Sequence, residues 1–537
     1  MHKPTPFPEL GNGPYRVLRG FARPLVDLFQ HSLEDPEAVQ RQSLARILEN
    51  AKGTAFSKDH GLRGDEALAS FRERVPVRGY DGLMPYLRRV HEAEPEVLTR
   101  SPVRGLLKTS GTTGAAKLVP VTDPYAREVA DGQALWRLAL VRDHEEASRG
   151  KALTLVSPAI EGFLPSGLPY GSNTGRMHHA QPWIVRLRYA VPNAVYRVED
   201  PELRLYCAMR YALQSRLSSI TTANPSTLLL IARRLEEHQD ALARDLADGT
   251  LRQGPAAALS TRQRLRFAVS LRKVRPPEDW RPGRIWSLAT INCWKGGAAP
   301  FFLSQLQSAY DPSTPVREVG ITASEGYFAI PLGDDDAGGV AWLGGHLLEF
   351  LDDEDRAHWA WELESGRQYR LVITTSAGLY RYDLGDVVEV VGWLGRVPRL
   401  RFVRKVGNVL NLTGEKLTED QVVRAVREAL GDAQLVGFTV GYRLSGDEQV
   451  PALTLAAEGA VSPGLVERFD AALRAANVEY DSKRDSGRLG LPRLERLNPG
   501  TYARYRARRV AEGAPDGQVK DLVVALDNRH WEQLIRD

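Results

Sequence analysis

Two cysteines occur in 537 residues, Cys207 and Cys293, and neither sits in a Cys-x-x-Cys pair. That excludes a disulfide scaffold and a cysteine-based zinc site. Long apolar runs are missing too. The longest, such as TLLLIA at 227–232, fall far short of the roughly 20 residues that cross a bilayer. The opening stretch, MHKPTPFPEL, lacks the apolar core of a secretory signal. These absences predict a cytoplasmic protein with no membrane partner. Net charge is also scarce: +4 on 71 basic and 67 acidic residues does not argue for nucleic acid as a partner. No Gly-x-Ser-x-Gly occurs, which removes the usual serine-hydrolase elbow. Lysine is rare as well, 12 of the 71 basic residues, so a lysine at a motif position is less readily dismissed as generic surface charge.

What is present reads as layered α/β structure. The length exceeds one ordinary core and predicts a large domain plus a smaller one. Residues 1 to about 105 read as mostly helical, for example DPEAVQRQSLARILENA. Short apolar strands then alternate with helical stretches. The segment LLLIARRLEEHQDALARDLADG predicts one amphipathic helix ending at Gly249. Strands are predicted at KALTLVSPAI, VREVGITAS, QYRLVITTSAG and DVVEVVGWL. Near residue 400 the texture changes to a βαββ-type pattern. Thr418 and Gln421 form a capping box for a helix that Gly431 stops. The boundary is placed at 1–403 and 404–537, with Gly407 in RKVGN as a hinge.

Three segments carry chemistry. KTSGTTGAAKL, residues 108–118, packs glycines, hydroxyls and Lys117 together, the ingredients of a polyphosphate cradle, although it is not a Walker A loop. GITASEGYFAI places Glu325 at the end of an apolar run, where a carboxylate leaving a strand suits a magnesium ion bridging phosphates. GLYRYDLGD places Asp386 after a glycine at another such end, suited to a bidentate grip on ribose hydroxyls. Arg137, about one helix past the phosphate loop, is a candidate for a substrate carboxylate. The adjacent His178 and His179 lack the i,i+4 spacing of helical metal ligands and read as polar loop residues.

TSGTTGAAK, TASEG, GLYRYDLGD and LTGEKLTED, in that order, resemble the acyl-adenylate-forming superfamily. Within it the match is to the Gretchen Hagen auxin-responsive acyl acid–amido synthetases. The resemblance runs from about residue 80 to the C-terminus. It implies a large N-terminal adenylate-forming domain of layered sheets and helices and a small, mobile C-terminal α+β domain. It further implies that Ser110, Gly111, Thr112, Thr113 and Gly114 cradle the phosphates of ATP, with Lys117 nearby. Thr322, Ala323 and Ser324 would line the adenine and acyl site, Glu325 would bind Mg, and Asp386 would hold the ribose. Lys416 falls on the family's contact to the incoming amino acid. Lys520, in GAPDGQVKDL, falls on the lysine that reaches the α-phosphate, although Val519 stands where the family has tyrosine. The implied reaction joins a carboxylic acid, through acyl-AMP, to an amino acid or other amine. Two alternatives stay open at this point, an acyl-CoA ligase sharing the first half-reaction and a non-catalytic nucleotide-binding scaffold.

Overall fold

The N-terminal hundred residues fold as six helices between Gly13 and His91, as their periodicity predicts. Each of the first and third starts where a side chain satisfies an orphan amide: Asn12 accepts from Tyr15 at 2.8 Å and Asp35 from Ala38 at 3.0 Å. The computed structural model describes residues 6–109, 117–181, 183–297, 299–335, 337–407, 409–410, 415–431, 434–443, 451–485, 489–512, 514 and 519–535.

These helices and the long helix Asp123–Asp143 pack on an eight-stranded antiparallel sheet. Its order is Ala357–Trp359, Leu347–Leu351, Gln368–Thr374, Tyr382–Leu394, Val397–Lys405, Gly338–Ala341, Gly326–Ile330 and Ile321–Ala323. Leu347–Leu351 and Gly326–Ile330 are buried at every residue; the second reads as a continuous apolar run, whereas the first carries Glu349, which is paired with Arg72 and Arg381. Trp342, Phe29 and Ile47, all essentially inaccessible, fill the interface between the helices and this sheet.

A second sheet is parallel: Lys151–Thr154, Leu217–Thr221, Thr290–Asn292 and Val316–Arg317, in that order. Helices fill its crossovers, as parallel pairing requires. The single helix expected before Gly249 is two, Ser226–Glu237 and Gln239–Asp248, meeting at His238. The break has a tertiary cause. The His238 ring hydrogen-bonds Glu202 at 2.9 Å and meets Tyr206 edge-on, which pins the chain to the neighbouring helix. Gly249 ends the second helix at φ 71°, as its position predicts. A third sheet holds Gly105–Thr109 and Lys117–Val121 antiparallel, with Thr109 opposite Lys117.

After Lys405 the chain leaves the large sheet. Gly407 lies at φ +98°, and Val409–Leu410 pairs locally with Leu417–Thr418. The C-terminal residues build a four-stranded sheet, Arg493–Arg496, Leu453–Gly459, Leu435–Tyr442 and Val524–Ala525, with its own apolar core. The Thr418–Gln421 capping box opens the helix Glu419–Leu430, and Gly431 follows it. Both cysteines are free, buried thiols. Among the described residues no helix is long and apolar enough to cross a membrane.

Candidate active site

Ile321–Ala323 and Gly326–Ile330 form a hairpin whose turn is Ser324–Glu325. Glu325 therefore leaves a strand, as the sequence predicts, within a two-residue turn that leads straight into the next strand. Two side chains hold the turn from outside. Tyr125, on the helix Asp123–Asp143, donates its hydroxyl to the Ser324 carbonyl at 2.5 Å, and Asn173 donates to the Ala323 carbonyl at 3.2 Å. Thr322 closes the hairpin from within by donating to the Gly326 carbonyl at 3.1 Å. Gly326 has to be glycine: a Cβ there would lie 2.6 Å from the His346 ring.

Asp386 lies inside the strand Tyr382–Leu394, not at the expected strand end. Gly385, at φ +70°, turns the backbone just before it. The strand register sets Asp386 directly opposite Lys405, whose ammonium donates to Asp386 Oδ1 at 2.8 Å and to the Leu384 carbonyl at 3.0 Å. A carboxylate offers about four lone-pair sites, so this bond leaves room for ribose hydroxyls.

Glu325, Asp386, Lys405 and Lys520 face one cavity of about 1720 Å³, together with Lys117, Arg137, Thr322, Ala323 and Ser324. The four charged groups feel one another. Burial raises the Glu325 carboxyl above its usual value, opposed by Lys405, while Asp386 adds to the rise. Burial works against the Lys405 cation, but Asp386 and then Glu325 outweigh it and raise its pKa. Lys520 moves the other way: burial and then Lys405 push it down, against Asp386, Glu419 and Glu325. It opens onto the cavity, 5.9 Å from the Phe402 ring.

The remaining candidates divide. Lys117 stands 5.3 Å from the Tyr80 ring and counts among the charges that Glu325 feels. Arg137 lines the cavity and donates to Gln181 at 2.7 Å, and burial lowers its pKa. Lys416 is exposed at φ +47°, outside the cavity lining. Ser110, Gly111, Thr112, Thr113 and Gly114 lie outside the described residues. His178 is not a polar loop residue. It lies on the helix Asn173–Ala180, 2% exposed, stacked 4.0 Å from the Tyr189 ring, and burial pushes its pKa down to about 4.

Lys405, Tyr125 and Asn173 escape the sequence reading. Lys405 falls in RKVGN, which reads as a hinge, yet the rarity of lysine was a usable signal. Nothing local marks Tyr125, whose partner is 199 residues away.

A magnesium ion fits the site's chemistry. Glu325 offers hard oxygen ligands in a buried position where a cation would offset its desolvation. Among the described residues no three His, Cys, Asp or Glu side chains cluster for a metal. That pattern suits an ion that takes most of its shell from phosphate and water.

The chain matches the GH3 family N-terminal domain over residues 25–316, its central domain over 340–405 and its C-terminal domain over 420–528. It is 25% identical to the indole-3-acetic acid-amido synthetase GH3.17 of Arabidopsis thaliana, over 75% of this chain and 74% of that protein. It is 23% identical to the jasmonoyl–L-amino acid synthetase JAR6 of Nicotiana attenuata, over 92% of each. Its fold superposes on the GH3.15 acyl acid amido synthetase with a TM-score of 0.83, at 20% identity and 96% coverage of both chains. The fold of a 2-hydroxyisobutyryl-CoA ligase with its bound adenylate follows at a TM-score of 0.52, 15% identity, covering 93% of this chain and 90% of that one. From this architecture and these matches, the chain belongs to the GH3 family, the acyl acid–amido synthetases of the adenylate-forming fold.

Proposed function

We propose that this ATP-dependent acid–amino acid ligase runs both half-reactions in the cavity that Glu325, Asp386, Lys405 and Lys520 share. In the first, a carboxylate oxygen of the acid attacks the α-phosphorus of ATP, the bond to pyrophosphate breaks, and acyl-AMP forms. In the second, an amine nitrogen attacks the acyl carbon, AMP leaves, and the nitrogen loses a proton to give the amide. The supporting observation is convergence: residues from the large sheet and Lys520 from beyond it meet in one cavity.

Asp386 holds the ribose, with Lys405 fixing its orientation. Lys520 stabilises the charge that builds on the phosphoryl and attacking oxygens. Lys117 and the residues 110–114 hold the pyrophosphate half. Thr322, Ala323 and Ser324 flank adenine and acyl group, and Arg137 offers a cation on the acid side. Glu325 binds magnesium, which when present neutralises phosphate charge. Lys416 engages the amino acid in the second half-reaction. The large domain is taken as 1–403 and the mobile unit as 404–537; the strand Val397–Lys405, which pairs in the large sheet, supports a junction close to this point.

An acid-by-acceptor matrix read by mass spectrometry tests this reading. Amide, AMP and pyrophosphate are expected from at least one acid and amino acid pair. A thioester with coenzyme A and no amide with any amino acid would overturn it.

A further inference from the structure

The catalytic cavity is larger than its nucleotide and a compact acid require. Its 1720 Å³ exceeds the roughly 300–1,000 Å³ of an ordinary small-molecule pocket. Part of the surplus opens toward C-terminal residues such as Tyr505, Arg509 and His530, and another part follows one helix. Gln133, Trp136, Arg137, Leu140 and Val141 of the helix Asp123–Asp143 all line the cavity, the spacing of one helical face. From Gln133 to Val141 this face runs about 12 Å at 1.5 Å per residue, leading away from Tyr125, which holds the Glu325 turn near the start of the helix.

Chemistry changes along that path. Arg137 and Gln181, bonded to each other, are the last polar pair on the helix face. Beyond them the lining is mostly apolar, with Leu140, Val141, Ala147, Val185, Val17 and Leu18 from four separate segments, and Ser148, whose hydroxyl is spent on the Glu145 carbonyl. Arg188 also reaches this end, but its guanidinium donates to the Ala147, Ser148 and Gly150 carbonyls. Among the described residues these segments bring no carboxylate to the lining. At the outer end the apolar surface runs on into solvent: Val17 of the helix Gly13–Phe21 is 61% exposed, and Leu187 beside Arg188 is 61% exposed.

We infer that the acid this enzyme activates carries an extended apolar tail, seated along Leu140 and Val141 and emerging beside Val17. The inference rests on the amido synthetase reading for the place of the reacting carboxyl. At about 1.2 Å per bond of extended chain, the roughly 6 Å of helix face from Arg137 to Val141 accommodates about five bonds beyond the polar pair, before the channel reaches Val17. An alkyl or alkenyl chain fits this channel, and a compact aromatic acid leaves it unfilled.

Straight-chain acids of increasing length, each assayed by acid-dependent pyrophosphate exchange with ATP and magnesium, test the inference. The ratio kcat/KM should rise by as much as about fourfold per added methylene, the scale of burying one such group, and then level off. In Val17→Trp, a substitution at an exposed helix position, the optimum should move to shorter acids. Leu140→Phe, narrowing the channel from inside, should move it further. Exchange that is strong with short or aromatic acids, indifferent to chain length and unaltered in profile by both substitutions would overturn the tail while leaving adenylation intact. Exchange with no acid in a wide panel would overturn the adenylation reading itself, and the tail with it.

Discussion

Lys405 couples the two carboxylates that the sequence motifs mark. It sits between two carboxylates, bonded to Asp386 and holding down the pKa of Glu325. Lys405→Met removes that cation and leaves the pair facing each other. Activity at neutral pH should fall at least about tenfold. The acid limb of the pyrophosphate-exchange profile should move to higher pH, because Glu325 loses the charge that favours its ionised form. An unmoved limb would remove Lys405 from this role. Lys520 makes the opposite case on the alkaline side. Its pKa is lowered by burial and by Lys405, and the role proposed for it requires the protonated form. Exchange should therefore fall as pH rises through a value below that of ordinary lysine. Lys520→Arg, which stays charged, should carry that limb upward, and Lys520→Ala should cost about 10²–10³-fold throughout. A pH profile identical in wild type and Lys520→Arg would show that this lysine does not titrate in the reaction.

At the scale of elements, the Ser324–Glu325 hairpin is held through its backbone, so side chains outside the motif set its geometry. Tyr125→Phe deletes one hydroxyl and leaves the Ser324 carbonyl without that donor, a loss of about 1–3 kcal/mol for a buried group. If Tyr125 positions Glu325, kcat should drop about tenfold and the magnesium requirement should rise, with KM for ATP little changed. A loss of thermal stability with unchanged magnesium dependence would reduce Tyr125 to a packing residue. This is also the scale at which sequence and structure part company. The Glu419–Leu430 helix was legible to its cap, because capping is chemistry within four residues. Gly249 was legible for the same reason. The break at His238, the mid-strand place of Asp386 and the burial of His178 were not, since each depends on partners that only folding brings near: Glu202, Lys405 and Tyr189. Glu325 and Asp386 were found as carboxylates beside glycine, while the lysine joining them lay hidden in a segment that looked like a hinge.

For the whole molecule, the described arrangement brings Lys520 into the cavity and leaves Lys416 exposed. Under the proposed roles this arrangement suits the first half-reaction, and Gly407 at φ +98° lies at the turn between the large sheet and the small domain. At Gly407 a Cβ meets no neighbouring atom, but Gly407→Val forces a β-branched residue into the left-handed region, at a cost of about 1–3 kcal/mol. Pyrophosphate exchange should therefore fall about 5- to 100-fold. Amide formation from supplied acyl-AMP should fall less. Equal losses in both assays would mean that Gly407 does not distinguish the two arrangements. Lys416→Ala should show the reverse pattern, normal exchange with a raised KM for the amino acid. Impaired exchange in that variant would place Lys416 in the first half-reaction instead.

The chain has 12 lysines, and Lys117, Lys405 and Lys520 line one cavity from positions spread over 403 residues. Lys117 sits on the strand Lys117–Val121, Lys405 on the eight-stranded sheet, and Lys520 just ahead of the strand Val524–Ala525. A site so distributed in sequence is among the last things the polypeptide completes during synthesis. While the protein is being made, the nucleotide-binding half can take shape long before Lys520 leaves the ribosome. On the proposed roles, the nascent chain at that stage holds ATP before the lysine that spends it has arrived. Turnover then waits on Lys520, so Lys520→Met should yield a folded protein that holds nucleotide and turns over little of it.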